Sequence, residues 1–243
     1  MKVALVTGAS RGIGRAVALQ LSRDGYAIAV HCVHAVDAAK DVCRAIEEAG
    51  GCAQAYVCDI ADGAAVAHMV QSIVQEMGPI SVLVNNAGIA QQKLFTDITA
   101  EEWRRMMAVH VDGAFYTSHA CLPNMIREHS GVIINMASMW GQVGASCEVH
   151  YSTAKAALIG FTKALAKEVG PAGVRVNCVA PGVIQTDMLS ALDEETLSAL
   201  AEETPLCRLG TPQDIAAAVS FLVSDRAAFI TGQVLAPNGG FVI

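Results

Sequence analysis

Seven short apolar runs rich in β-branched residues punctuate this chain, at 2–8, 27–32, 53–59, 80–86, 131–138, 174–182 and 232–240, with longer helical patterns between them. The runs show little alternation of apolar and polar residues, so each suits a strand covered on both faces rather than one with a wet side. Strands that alternate with helices pair in parallel, because the helix returns the chain to the starting edge by a right-handed crossover. The expectation is an α/β fold: a doubly wound, seven-stranded parallel sheet with helices on both faces. A composition of 53% hydrophobic and 16% charged residues suits such a buried sheet. Gly and Pro fall at the ends of elements and not in runs, so residues 1–243 read as one domain. Two intervals stand apart. The helical pattern from Thr99 to His129 contains Pro123, whose missing N–H should kink or end a helix. The interval 184–206, between the sixth strand and the next helix, is too long for an ordinary connection and reads as a lid.

No apolar run approaches the roughly 18–20 residues that a membrane-spanning helix requires. "VALVTG" directly after Lys2 reads as a strand and turn, not as a secretory leader, so a cytoplasmic protein is expected. The formal charge is −7 and the 16 basic residues are dispersed, which removes the electrostatic footprint of a nucleic-acid binder. Cys32, Cys43, Cys52, Cys58, Cys121, Cys147, Cys178 and Cys207 show no C-x-x-C spacing and no histidine at metal-site spacing. Reduced thiols and no structural metal are expected.

The first strand ends in "TGASRGIG", residues 7–14. Gly8, Gly12 and Gly14 ahead of an apolar helix let the backbone approach a pyrophosphate, whose charge the N–H groups and dipole of the helix attract. The pattern is T-G-x-x-x-G-x-G rather than G-x-G-x-x-G. Its place at the first strand–helix junction of an alternating chain marks a dinucleotide site and a single-domain Rossmann fold. An acid at the end of the second strand would bind the ribose 2′-hydroxyl of NAD and repel a 2′-phosphate. None occurs before Asp37, while Arg11 lies in the turn and His31 and His34 near the strand end, so NADP (NADPH) is the expected cofactor.

"VHYSTAK" at 149–155 sets Tyr151 and Lys155 one helical turn apart, with about 5–6 Å between their Cβ atoms. A ketone accepts a hydride only if its oxygen is protonated or stabilised, and a phenol with a pKa near ~10 is a poor proton source at neutral pH. A neighbouring ammonium should favour the phenolate and lower that pKa by roughly 1–3 units. Taken singly, a serine that caps a turn, a packed tyrosine and a solvated lysine would need no further explanation.

Together with "TGASRGIG", Asp59 ends the third strand, "NNAG" stands at 85–88, Ser138 follows the fifth strand, "YSTAK" spans 151–155 and "PGVIQT" 181–186. With these motifs the chain resembles the short-chain dehydrogenase/reductase family over its whole length. The resemblance implies that Ser138, Tyr151 and Lys155 act as a catalytic unit, with Ser138 fixing the substrate carbonyl and Lys155 bonding the nicotinamide ribose. It implies a cofactor pocket whose first part comes from Gly8, Ser10, Arg11, Gly12, Ile13, Gly14 and His31. Asp59 and Ile60, then Asn86, Ala87 and Gly88, and finally Pro181, Gly182, Ile184 and Thr186 complete it beside Tyr151 and Lys155. It also implies a homotetramer assembled through the long helix and the Tyr151 helix, where Ala154, Ala157 and Gly160 would permit close approach.

The chain departs from the family pattern in places. Where members usually carry an asparagine that holds a water behind the lysine, "MMAVHVDG" places His110, which could keep the proton relay or simply pack. The whole is similar to 3-oxoacyl-acyl-carrier-protein reductases, but the positions where those would carry bases for an acidic partner hold His129 and Ala172. The segment 176–207 has no Lys or Arg while carrying Asp187, Asp193, Glu194, Glu195, Glu202 and Glu203. Such a rim should repel an acidic carrier. The stretch "SMWGQVGASCEVHYS" resembles the branch that reduces the 5-aminopentanone group on elongation factor P, a protein-attached ketone. There Glu148 could pair with a cationic amine or cap the Tyr151 helix, and Trp140 could wall the pocket or fill the core. An NADPH-dependent ketone reductase acting on that adduct is the leading expectation, with 3-oxoacyl carrier-protein reduction as the alternative. A non-catalytic NADP-sensing regulator is the alternative of another class, against which an intact Ser138, Tyr151 and Lys155 stand.

Overall fold

All seven expected strands form and pair in parallel in a computed structural model, which describes residues 1–189 and 193–243. They are β1 (Val3–Val6), β2 (Ala27–Cys32), β3 (Ala53–Val57), β4 (Ile80–Asn85), β5 (Gly131–Met136), β6 (Val174–Val179) and β7 (Val234–Leu235), in the order β3-β2-β1-β4-β5-β6-β7. Helices α1 (Gly12–Arg23), α2 (Val36–Glu48) and α3 (Gly63–Glu76) connect the first four strands. Next come α4 (Ala100–Met107), α5 (Gly113–Arg127), α6 (Trp140–Val143), α7 (Val149–Val169), α8 (Glu194–Glu203) and α9 (Pro212–Val223).

β1 shows why the strands are apolar throughout. Ala4 and Val6 face a core shared with α1, α2 and α9, whereas Val3 and Leu5 face the opposite core with residues of α3, α5 and α7. Each fully buried Leu or Ile stabilises by about 1.5–3 kcal/mol. With both faces committed, a one-residue slip would exchange the two sets, so register is strongly specified. The chain winds outward from β1 to β3, then reverses and continues from β4 on the other side of β1. A crevice opens where strand order reverses, at the carboxyl ends of β1 and β4.

The break in the long helical interval lies elsewhere than at Pro123. α5 runs through that proline to Arg127, and a π-helical turn over Ala108–Asp112, containing His110, separates α4 from α5. Pro123 removes a single N–H bond, while Cys121 and Met125 on either side of it are buried and hold the helix against the core. In the expected lid, Ile184 forms a backbone bridge to Gly210 and α8 starts at an Asp193 cap that accepts from the Thr196 N–H; residues 190–192 of that segment lie outside the described residues. Ala154, expected on a helix-docking face, is instead fully buried within the chain, because its side of α7 faces the core. Among the described residues, no helix is long and apolar enough to cross a membrane.

Candidate active site

The floor of the crevice is a set of cross-links between β1 and β4. Thr7 Oγ accepts from the backbone N–H groups of Asn86 and Ala87, both at 3.0 Å, and the Asn86 side chain donates to the carbonyls of Thr7 (2.9 Å) and Gly8 (3.1 Å). Gly8 has φ of +63°, and a Cβ there would meet the Ala87 Cα at 2.8 Å, so this position needs glycine on both conformational and steric grounds. Below the floor runs a buried polar chain that the sequence analysis missed. Thr117 donates to Asn85 (2.6 Å), Asn85 to Asn135 (2.9 Å) and Asn135 to Thr162 (2.9 Å). It ties α5 through β4 and β5 to α7, the helix that carries Tyr151 and Lys155. Its visible signal was two asparagines inside otherwise apolar strands.

The glycine turn is anchored from below by His31. This residue is 1% exposed; its Nδ1 accepts from the Gly8 N–H (3.2 Å), which leaves Nε2 to donate to the Cys58 carbonyl (3.1 Å). Burial pushes its pKa down, against the Cys58 hydrogen bond and the charge of Asp59. His31 is therefore a neutral support of the turn; of the three residues expected to tolerate or pair a 2′-phosphate, it has both ring nitrogens bonded within the protein. Arg11 and His34 are exposed at the same end of the sheet, and Arg11 lies 3.8 Å from Asp187. Ser10 and Ile13 are half-buried in the turn. Thr186 stands over Gly12, 3.5 Å from where a Cβ would be, which brings the 181–186 loop across the turn. Pro181 accepts from the Met139 N–H, Gly182 packs on Asn238, and Ile184 is buried. Asp59 pairs with Arg105 at 2.9 Å. Partial desolvation opposes ionisation of Asp59, but the Ala61 N–H and then Arg105 prevail and hold it below the usual carboxylate range. Ile60 is buried against Gly113.

Ser138, Tyr151 and Lys155 come together beyond the end of β5. The Ser138 hydroxyl accepts from the Trp140 N–H (3.2 Å) and lies near enough to the Tyr151 phenol to bear on its pKa. Lys155, 4% exposed, donates to the Met136 carbonyl (2.7 Å), and its Nζ lies 5.5 Å from the centre of the Tyr151 ring. Burial pushes Tyr151 up to about 12, with the Ser138 hydrogen bond opposing and the charge of Glu148 adding to the rise; burial also pushes Lys155 down to about 8. The phenol pKa thus moves opposite to the expected lowering, because loss of water dominates it in the protein alone. Tyr151 is a neutral O–H donor, and Lys155 remains mostly protonated at pH 7.

His110 stands edge-on to Tyr151, with ring centres 5.6 Å apart. It is 3% exposed; Nε2 lies 2.8 Å from the Ile89 carbonyl, and Nδ1 is buried without a hydrogen-bond partner. Burial, helped by the Lys155 charge and opposed by the Ile89 carbonyl, pushes His110 down to about 3, so the imidazole is neutral. A 10 Å³ cavity beside it is lined by Thr7, Asn85 and His110 among others, close to the roughly 10–15 Å³ minimum for one water. Gly88 makes room for the ring, since a Cβ there would overlap His110. A wider 410 Å³ cleft between β3 and α3, lined by Tyr56, His68 and Glu76, holds none of these residues.

Glu148 begins α7 without capping it, and its carboxylate accepts from Gln92 at 3.3 Å. Trp140 is half-buried and meets Phe241 edge-on at 6.1 Å.

The chain's own groups fit a dinucleotide. No side chain caps the first turn of α1, whose backbone donors follow the glycine turn. Uncapped N–H groups beside close-approach glycines suit a pyrophosphate, and the missing acid after β2 with an exposed Arg11 suits a 2′-phosphate.

A family profile described as Enoyl-(Acyl carrier protein) reductase matches residues 8–242. The chain is 41% identical over 239 residues to a 3-oxoacyl-[acyl-carrier-protein] reductase FabG of Staphylococcus epidermidis, covering 98% of each protein. It is similar at 40% to the FabG of Vibrio cholerae, covering 98% of this chain and 96% of that one. It is also 39% identical to a protein of Bacillus subtilis named Uncharacterized oxidoreductase YmfI, covering 99% of this chain and 98% of that one. The chain belongs to the short-chain dehydrogenase/reductase family and is an NADP-dependent oxidoreductase of the alcohol–carbonyl pair.

Proposed function

We propose that the protein reduces a ketone, with Tyr151 giving its proton to the carbonyl oxygen. The observation that carries this is a buried Lys155 whose ammonium stands 5.5 Å from the centre of the Tyr151 ring, with Ser138 near the same phenol. Ser138 orients the carbonyl. Lys155 stabilises the phenolate that forms as the proton leaves. His110 holds Ile89 and the edge of the Tyr151 ring and acts here as a positioning residue. When bound, NADPH supplies the hydride. The uncapped first turn of α1, Arg11 toward a 2′-phosphate, and the 86–88 and 181–186 segments would hold it.

The substrate favoured is the 5-aminopentanone group on elongation factor P. Support comes from the "SMWGQVGASCEVHYS" stretch, from a Glu148 carboxylate that serves no cap, and from the acids along the 176–207 segment. Three of those acids have a plainer use as well, since Asp193 caps α8 and Glu194 and Glu195 lie in its first turn. A second substrate, a 3-oxoacyl group on a carrier protein, is favoured by the names of the 41% identical relatives. The enzyme works in the cytoplasm as a homotetramer; the exposed Phe115 and Ile126 on α5 supply apolar surface for that assembly. Offering each ketone with NADPH and following loss of absorbance separates the two. Turnover of the aminopentanone protein is expected, and ordinary rates on acyl carriers with none on elongation factor P would reverse the assignment.

A further inference from the structure

Trp140 stands two residues after Ser138, and its backbone N–H donates to the Ser138 hydroxyl at 3.2 Å. The direction of that hydroxyl therefore follows the turn that carries Trp140. α6 is a single turn of four residues, too short to hold itself in place, because a helix gains stability only as further bonds repay the first. What clamps the turn decides where it sits. On one side Gly141 lies on α7, where a Cβ would come 2.7 Å from the Lys155 carbonyl carbon. On the other, the Trp140 indole meets the Phe241 ring with centres 6.1 Å apart and planes at 87°, a favourable edge-to-face geometry.

Phe241 is itself held. The segment after β7 folds around Asn238, which is 8% exposed; its side chain donates to the Val242 carbonyl at 2.7 Å and accepts from the Gly240 N–H at 2.9 Å, and its own carbonyl accepts from the Phe241 N–H at 3.2 Å. Gly239 and Gly240, at φ of +67° and +89°, permit this fold. It touches two further segments. Gly182 packs on Asn238, which closes a circuit with the Met139 N–H that donates to Pro181 at 3.0 Å. The Leu206 N–H donates to the Gly239 carbonyl at 3.2 Å, and a Cβ on Gly240 would lie 3.0 Å from Pro205, so the end of the 184–206 segment rests on the same fold.

We infer that Phe241 is a positioning residue: its ring sets the Trp140 turn and thereby the Ser138 hydroxyl, and the Asn238 fold ties that setting to residues 204–206. This rests on the ketone-reductase proposal, in which Ser138 orients the carbonyl. Without the ring the turn keeps its seat on α7 but loses its outer clamp, so Ser138 spends less time aligned with a bound ketone. Misalignment of a bound substrate lowers kcat, while NADPH binding is left alone.

The test is a cycle of Phe241→Ala and Ser138→Ala in the full chain with NADPH. The ketone is ethyl acetoacetate, the acyl carrier or the aminopentanone protein, whichever wild type reduces, and single turnovers with enzyme in excess read the slow variants. Phe241→Ala should lower kcat by about 10–100-fold, the scale for a misplaced orienting group, with NADPH binding unchanged. Phe241→Tyr keeps the ring and should restore the rate. In the Ser138→Ala background Phe241→Ala should cost no more than about twofold, because the group it positions is gone. Trp103→Phe leaves Trp140 as the one remaining tryptophan of two, and its emission should then move to longer wavelength on Phe241→Ala. Urea midpoints check folding, and Phe241→Leu takes the place of an alanine variant that fails to fold. Equal losses in the wild-type and Ser138→Ala backgrounds overturn the inference alone, as does full kcat in Phe241→Ala or an unshifted Trp140 emission. Wild type that binds NADPH and reduces none of the three ketones overturns the reductase proposal, and the inference with it.

Discussion

Replacing Gly88 with alanine tests how tightly the crevice is packed around His110. The new methyl would overlap the His110 ring and lie 3.1 Å from its Nδ1. Gly88 is not among the glycines at positive φ, so the backbone itself accepts alanine. The ring has little freedom to move, since it is 3% exposed and tied through Nε2 to Ile89. Overpacking of this kind costs about 1–3 kcal/mol. In a His110→Ala background the same methyl enters vacated space, and the cost should vanish or become a gain of about 0.4–1 kcal/mol from the stiffer unfolded chain. The two substitutions should therefore couple by at least about 1 kcal/mol. Urea unfolding of wild type, both single variants and the double variant measures this through the midpoint, provided the slope stays constant. Additivity within about 0.3–0.5 kcal/mol would refute the contact.

Three further outcomes are expected. Burial holds the Lys155 pKa at about 8 in the folded chain, against its ordinary 10.5, so above pH 8 the unfolded chain binds more protons than the folded one. Its contribution to stability should then rise between pH 8 and 10.5, and Lys155→Met should lose that rise in unfolding curves taken across the window. Asn135→Ala removes the middle of the chain from Thr117 to Thr162, leaving Asn85 short of an acceptor; unfolding midpoints should show a loss of about 2–4 kcal/mol. Arg11→Ala should weaken NADPH binding by about tenfold or more and leave NADH binding nearly unchanged, as read by nucleotide fluorescence.

The architecture was legible because both faces of every strand are covered, which keeps the runs apolar, and because strand–helix alternation leaves few topologies. The long helix was harder. Pro123 is a loud local signal, yet buried neighbours hold the helix through it, whereas the π-helical turn at His110 has no residue-type signature. His31 illustrates a second limit: its place near the end of β2 put it among residues that could meet a phosphate, but which way a ring points depends on the Gly8 N–H and the Cys58 carbonyl, both far away in sequence. Spacing put Tyr151 and Lys155 on one face of α7, but it could not give the direction of their pKa shifts, because burial is a property of the folded chain. The Asn85–Asn135 pairing depends on strand register, which no single strand reveals.

The central claim is that the Tyr151 phenol is the proton source. Tyr151→Phe keeps the ring beside His110 and removes only the O–H, so NADPH titration with this variant should match wild type while ketone-dependent NADPH oxidation falls by about 10²–10⁴-fold. Undiminished oxidation by a Tyr151→Phe protein with normal NADPH binding would contradict the claim.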